Sequence, residues 1–362
     1  MPDQRGTGPA RQQGWRADAD PVLAAVDVTK HFPVHGKDAG RLGSRRVVHA
    51  LDGASIGVYQ GRVTALVGES GSGKSTLARV LAGLYRRTSG EVLLRGQPVR
   101  AAHGRAFRRH AGEVQLILQD PYGSFNPMLR VSTHLRRAVR VHEPGRKGDS
   151  LQARTRELLE QVHLRPAGQF LQKYPHELSG GQLQRVSIAR ALAARPSVLL
   201  ADEPVSNLDV SIRLGVLNLL AELTRDGAGL LYVTHDVASA RYFAADTAVM
   251  YAGQVIESGP SERVTSEPAH PYTRLLIASA PDPARRAAAE GTAVADRGQP
   301  PSLISPPAGC RFHPRCPFAM PECRTQPPPR IELGGGHWSR CWLFADGRHA
   351  DGRHRESPRK EP

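Results

Sequence analysis

The chain has 362 residues, of which 40% are hydrophobic and 23% charged, with a formal net charge of +15. That length suits one large domain with a small one attached, no apolar run approaches the roughly 18 residues of a membrane-spanning helix, and the polar start MPDQRGTGPARQQGWRADADP lacks the apolar stretch of a secretory signal. The expectation is a soluble, intracellular chain; its arginines are scattered and only 5% of its residues are aromatic, so nucleic acid is not expected as a partner.

In chain order, residues 1–20 read as a disordered leader. VLAAVDV and, later, RVTALVG read as strands, and HGKDAGRLGSRR between them reads as a loop by its glycines and charges. A helical pattern, STLARVLAGLY, starts at Ser75 and runs to the turn RRTSGE. EVQLILQD reads as a strand, and residues 128–195 as mostly helical, with a break at Pro166 and a loop at KYPHELSGGQ. SVLLADEP is a short apolar strand ending in acids, IRLGVLNLLAEL an amphipathic helix, GLLYVTHD a strand, and TAVMYAGQVIESG a strand pair around Ala-Gly. Strands alternating with helices predict an α/β fold with a mostly parallel sheet. From about Ser266 proline becomes frequent (PAHPY, APDP, QPPSLISPPAG, TQPPPR), the mark of a linker and a small loop-rich appendage. The end, DGRHADGRHRESPRKEP, has too little apolar surface to offset ordering and is expected to be dispensable.

GESGSGKST, spanning Gly68, Glu69, Ser70, Gly71, Ser72, Gly73, Lys74, Ser75 and Thr76, fits G-x-x-x-x-G-K-[ST] between a strand and a helix, which is the setting that motif requires. Glycines let consecutive backbone N–H groups turn toward phosphate oxygens, and the helix N-terminus adds its positive end. Lys74 suits the β and γ phosphates of ATP, and the Ser75 hydroxyl suits Mg²⁺. VLLADE places Asp202 and Glu203 at the C-terminal end of a strand, the edge where open parallel sheets bind ligands. Asp202 suits Mg²⁺ coordination; Glu203 is placed to polarise an attacking water. LSGGQ, with Ser179, Gly180, Gly181 and Gln182, opens a helix and is a second candidate anion site. Alone it would read as an ordinary helix cap.

With LILQD, SNLD and VTHD in the same order, these motifs give the chain a resemblance to the ATP-binding subunits of ABC transporters over about residues 21–265. The resemblance implies a phosphate-loop, RecA-like core with an antiparallel β subdomain and a helical signature subdomain near residues 125–190. It implies two such domains facing head to tail, with ATP between the phosphate loop of one and the signature of the other. Gln119 then resembles the lid glutamine that senses Mg²⁺ and the membrane domain, Asp209 the aspartate linking the two sites, His235 the switch histidine on the γ-phosphate, and Phe32 the aromatic stacked on adenine. Asn207 stands where the family often has alanine. QDPYGSFNP, PAHPYTRLLIASAPDP and the cysteine segment resemble the oligopeptide/dipeptide importer branch, which nickel and some sugar importers share. That implies a peripheral ATPase at the cytoplasmic face of the cell membrane. Its partners are a second ATPase subunit, identical or homologous, two transmembrane permeases and, indirectly, an extracytoplasmic binding protein. A soluble ABC-type ATPase acting away from membranes is the rival reading.

All four cysteines, Cys310, Cys316, Cys323 and Cys341, fall within residues 266–345, the expected C-terminal extension, with gaps of five, six and seventeen residues between them. Four thiolates make a full ligand set for zinc or an iron–sulfur cluster; a reducing compartment argues against disulfides. No short C-x₂₋₄-C knuckle of the zinc type is present. The importer branch carries this extension, and the resemblance implies a [4Fe–4S] cluster of structural role, standing in for a core too small to form alone. Single Cys→Ser changes are then expected to loosen this region and leave the nucleotide site largely intact.

Overall fold

In the computed structural model, the described residues are 20–34, 46–99, 104–279 and 298–345. All but the last residue of the leader, all but Arg46 of the HGKDAGRLGSRR loop, the APDP linker and the tail from residue 346 lie outside them. The chain runs β1 (Leu23–Pro33), β2 (Val47–Val58), β3 (Val63–Val67), α1 (Lys74–Leu81), β4 (Ser89–Leu94), β5 (Gln97–Pro98), α2 (Gly104–Glu113) and β6 (Val114–Ile117). A helical stretch follows, α3 (Val131–His142), α4 (Gly148–Gln161), α5 (Ala167–Gln172) and α6 (Gly180–Leu192). Then come β7 (Val198–Asp202), α7 (Val210–Arg225), β8 (Gly229–Thr234), α8 (Val237–Phe243), β9 (Asp246–Tyr251), β10 (Gln254–Pro260), α9 (Ser261–Ser266) and α10 (Pro271–Ala278). The C-terminal segment adds α11 (Pro321–Thr325), β11 (Arg330–Glu332) and β12 (Trp338–Arg340).

The larger sheet has the order β11-β12-β10-β9-β3-β8-β7-β6, parallel from β9 to β6 and antiparallel beyond β9. β3, β7 and β8 bury every residue, as strands covered on both faces must, which is why they read as apolar runs rather than alternations. An antiparallel sheet, β2-β1-β4-β5, lies over it. α1 is wedged between the two: Leu77 and Leu81 are fully buried and share a cluster with Leu23 and Leu51 from one sheet and Leu66, Leu200 and Leu231 from the other. Leu135, Val139, Leu158, Leu183 and Val186 carry the helices α3 to α6 onto the opposite face, beside Leu199 and Leu230.

Local departures from the expected elements have local causes. The pattern STLARVLAGLY runs to Tyr85, but α1 stops at Leu81, because Gly83 takes φ 75 and ends the helix. In EVQLILQD, Glu113 closes α2 and the strand itself is Val114–Ile117. The Ala-Gly turn of the last strand pair puts Ala252 at φ 45 and Gly253 at φ 85, the two positive values a two-residue hairpin turn of this hand requires.

The larger revision concerns the appendage. Rather than lacking a core, it uses that of the parallel sheet: Tyr272 and Phe312 belong to one hydrophobic cluster and Trp338 to the other. Its hairpin pairs with the open edge of β10, Glu257 opposite Ser339 and Ser258 opposite Trp338, so an edge that would otherwise template aggregation is covered. Glu257 is fully buried and accepts from the Ala269 and His270 amides and the Thr273 hydroxyl, at 2.8, 2.8 and 2.6 Å. His337 Nε2 pairs with it at 2.8 Å. Four partners around one carboxylate make its burial tolerable and pin α10 and the hairpin to β10 together.

Candidate active site

The phosphate loop leaves the C-terminal end of β3 and closes into α1. Its backbone course excludes side chains at two points. Gly68 has φ 158, and a Cβ there would run into the Met250 carbonyl; Gly73 has φ 109, and a Cβ would lie 2.5 Å from the Ala50 oxygen. Lys74, 4% exposed, folds back to donate to the carbonyls of Gly68 (2.8 Å) and Glu69 (2.9 Å). Burial pulls its ammonium below the usual lysine range, while Glu203, Asp202 and Glu69 pull it back up. Its charge is therefore held in a desolvated position, where an anion would interact with it most strongly.

Ser75 donates to Asp202 Oδ1 at 2.8 Å, joining the start of α1 to the end of β7. Asp202 is 1% exposed, and burial pushes its carboxyl above the usual range against the hydrogen bond from Ser75. A hard cation supplies what a buried carboxylate and hydroxyl here would favour: the two oxygens fit Mg²⁺ by donor type. The next residue, Glu203, has φ 46 and donates its amide to the Val233 carbonyl at 3.0 Å. A positive φ in a non-glycine residue costs energy that the surroundings must hold in place. Glu203 Oε2 lies 3.2 Å from Gln119 Nε2 and 3.2 Å from His235 Nδ1. Three loops, after β6, β7 and β8, thus bring a carboxylate, an amide and an imidazole to one point on the sheet edge that also carries the phosphate loop.

The remaining expected site residues share no hydrogen bond or ion pair with this cluster among the described residues. Ser179 caps α6: its hydroxyl accepts from the Gln182 amide at 3.3 Å, and Gln182 Oε1 accepts from the Ser179 amide at 3.2 Å. Gly181 packs α6 against α7, where a Cβ would strike the Ile212 side chain; Gly180 sits beside Leu208. Among the described residues no hydrogen bond or ion pair joins Ser179–Gln182 to the loop from Gly68 to Thr76. Asp209 is exposed at the start of α7 and does not cap it with its side chain; Asn207 is exposed too. Phe32, on β1, packs edge-on to Tyr85 at 5.5 Å with the Lys30 ammonium 4.6 Å from its ring centre.

Two residues that sequence reasoning missed touch the phosphate loop. Tyr272 on α10 accepts the Glu69 amide at 2.8 Å, and Arg315 takes both Glu69 carboxylate oxygens at 3.0 and 3.1 Å. They lie more than 200 positions from the loop, at separations of 203 and 246 residues, so no local pattern announces them. These contacts tie the C-terminal segment directly to the phosphate loop.

The four cysteines are all thiols, with Cys323 and Cys341 buried. The Cys310 amide donates to the Cys323 carbonyl at 2.8 Å, and His313, between Cys310 and Cys316, tightens the turn through its own amide to the Cys310 carbonyl at 3.0 Å. Burial pushes the Cys310 thiol up to about 11 and the Cys341 thiol up to about 12, and each is raised further by the charge of the other cysteines around it. The four therefore converge. No three of their sulfurs come within 4.8 Å of one another, whereas one tetrahedral zinc draws thiolates to about 3.8 Å separation.

The family model described as "ABC transporter" matches residues 51–206, and that described as "Oligopeptide/dipeptide transporter, C-terminal region" matches residues 256–323. A probable peptide ABC transporter ATP-binding protein, y4tS, of Sinorhizobium fredii is 40% identical over 334 residues, covering 90% of this chain and 91% of its own. The oligopeptide transport ATP-binding protein AppF of Bacillus subtilis is 36% identical, covering 91% and 99%. Among solved structures, the dimeric ATP-binding cassette MJ0796 in a post-hydrolysis state with ADP and Pi is 27% identical with a TM-score of 0.57, covering 66% of this chain and 98% of that one. The cbiO1 subunit from Clostridium perfringens, part of the cbiONQ transporter complex, is 26% identical with a TM-score of 0.58, covering 69% and 92%.

Proposed function

The chain belongs to the ATP-binding proteins of ABC transporters, an ATPase whose hydrolysis is coupled to import, and we propose that it energises the uptake of oligopeptides or dipeptides. The observation that carries the chemistry is the meeting of Gln119, Glu203 and His235 beside the Ser75–Asp202 pair and the buried Lys74. The peptide reading rests on the match of residues 256–323 to the peptide-transporter C-terminal region and on the peptide-transport relatives.

Members of this family work as pairs of ATPases on membrane permeases. For this chain we propose a pair closing head to tail, with two permeases and, indirectly, an extracytoplasmic binding protein. That no hydrogen bond or ion pair joins Ser179–Gln182 to its own phosphate loop among the described residues supports that arrangement, since the signature then has the partner's nucleotide to cap. Among the described residues no helix is long and apolar enough to cross a membrane; a peripheral seat at the cytoplasmic face fits this.

In the proposed reaction Lys74 binds the β and γ phosphates; Ser75 and Asp202, with Gln119, would hold Mg²⁺, which would supply charge neutralisation for the transferred phosphoryl group. Glu203 orients the attacking water and accepts its proton; His235 steadies both Glu203 and the γ-phosphate. Gln119 reports nucleotide to the permease side of the molecule. Phe32 stacks on the adenine, and Asp209 links one site to the other.

The four thiols fit a [4Fe–4S] cluster by donor type: near one another, largely desolvated and free of disulfides. We propose that Cys310, Cys316, Cys323 and Cys341 hold one. Such a cluster supplies a rigid cross-link and, in other settings, one-electron chemistry.

One experiment tests the functional reading. The chain is assembled with its permeases in vesicles, and ATP hydrolysis and labelled-peptide uptake are followed together. Glu203→Gln is expected to keep MgATP binding and to lose about 10²- to 10⁴-fold in hydrolysis, with uptake falling in parallel. Hydrolysis that survives in Glu203→Gln overturns the assignment of the base. Uptake of nickel but not of peptides overturns the cargo.

A further inference from the structure

The C-terminal segment and the phosphate loop meet at one residue, Glu69. Its carboxylate is held by the two nitrogens of the Arg315 fork, its amide by the hydroxyl of Tyr272, and its carbonyl accepts from Lys74 Nζ at 2.9 Å. The contacts form a chain from Arg315 and Tyr272 through Glu69 to the ammonium proposed to bind phosphate. Building on the nucleotide-site reading above, we propose that Arg315 and Tyr272 are positioning residues for MgATP, so that the C-terminal segment sets nucleotide affinity from outside the motifs that bind it.

Charge explains why the loop needs an arginine there. Glu69 sits second in a loop whose task is to receive a polyanion, and a bare carboxylate at that point repels it. The Arg315 guanidinium cancels that charge in a two-pronged pair that lysine's single ammonium cannot reproduce. Its side chain is 11% exposed, against 29% for Glu69, so solvent screens the pair only in part. The fork is itself held. Arg315 Nη1 also donates to the Tyr251 hydroxyl at 3.3 Å, and its guanidinium lies 5.8 Å from the ring centres of both Tyr251 and Phe312. Phe312 packs against Tyr251 and Tyr272 at 5.3 and 5.5 Å. The same aromatic group therefore seats both contacts to Glu69. Arg315 directly precedes Cys316, so the order of the thiol site fixes where the guanidinium stands.

The test is MgATP binding to the purified full-length chain by titration calorimetry, paired with KM and kcat in the permease-assembled form. Arg315→Gln is expected to weaken MgATP binding about tenfold or more, with the loss in KM rather than kcat. Arg315→Lys, which restores charge but not the fork, should recover part of it. Tyr272→Phe removes only the hydroxyl, keeps the packing, and should weaken binding about threefold. The decisive variant is the double change Glu69→Gln with Arg315→Gln. Removing the uncompensated carboxylate should return most of the lost affinity, whereas a merely structural Arg315 would gain nothing from it. Wild-type affinity in both Arg315→Gln and Tyr272→Phe, or a double variant no tighter than Arg315→Gln, overturns the proposal. Lys74→Ala, run alongside, separates the two layers. If it abolishes binding while the Arg315 and Tyr272 variants do not change it, the positioning idea alone fails. If Lys74→Ala binds normally, the nucleotide site itself is misassigned.

Discussion

Gly68, Gly73 and Lys74 shape the phosphate loop within one short stretch, by backbone angles and by a lysine bonded to the loop's own carbonyls. The cysteine segment is placed by residues far from it in the sequence. Glu257 on β10 collects four donors from α10 and the hairpin. Arg311, next to Cys310, reaches the Asp52 carboxylate and the Ala252 carbonyl. The turn of the first region is set by backbone geometry, whereas the second is loop-rich and held by docking and, as proposed, by its thiol site. A backbone-defined turn fails first when one of its glycines is lost, whereas docked segments fail when a buried partner is lost.

The largest expected effect that sharpens this contrast is at the thiols. Protein purified without oxygen is expected to carry about four irons per chain. Cys341→Ser should lose most of them and cut hydrogen-exchange protection across residues 310–341 by roughly a hundredfold, while β3, β7 and β8 keep theirs. Protection lost equally in β3 would break the comparison, since the two regions would then unfold as one. A colourless protein with one zinc per chain would replace the cluster by a zinc site.

A smaller effect is expected from acid. His270 is fully buried, and its Nδ1 accepts the Tyr272 amide at 3.0 Å at the start of α10. Burial, opposed by Glu257 and aided by Arg274, pulls its imidazole down to about 4. The folded state thus binds a proton less readily than the unfolded one, whose histidine titrates near 6.5. The stability this provides is complete above about pH 6.5 and drains as pH falls toward 4, by about 2 kcal/mol at pH 5. Denaturant melts at pH 7 and pH 5 should show that loss in the wild type and a much smaller one in His270→Gln. An equal loss in both would move the acid sensitivity elsewhere.

The smallest expected effect is at the signature. Ser179→Ala removes the hydroxyl that caps α6 and should lower stability by about 1 kcal/mol, read as a shift in the thermal midpoint. Proposed closure over a partner's nucleotide adds a second readout: ATP-dependent pairing should weaken by more than the cap alone explains. Unchanged pairing would confine Ser179 to its helix.

The sequence alone determined whatever depends on neighbours along the chain. The turn of the phosphate loop follows from Gly68 and Gly73, because the positive φ each adopts is open to glycine at little cost. The buried parallel strands follow from unbroken apolar runs such as VLLAD. The Ser179 cap follows from LSGGQ, and the Ala252-Gly253 turn from a dipeptide. Only the tertiary structure decided that Gln119, Glu203 and His235 meet at 3.2 Å, that α1 lies between two sheets, and that Tyr272 and Arg315 reach Glu69 across 203 and 246 residues. The reason is physical: φ, capping and hydrophobic period are properties of a few consecutive residues, whereas a contact between distant side chains exists only once the sheet order has brought their loops to the same edge.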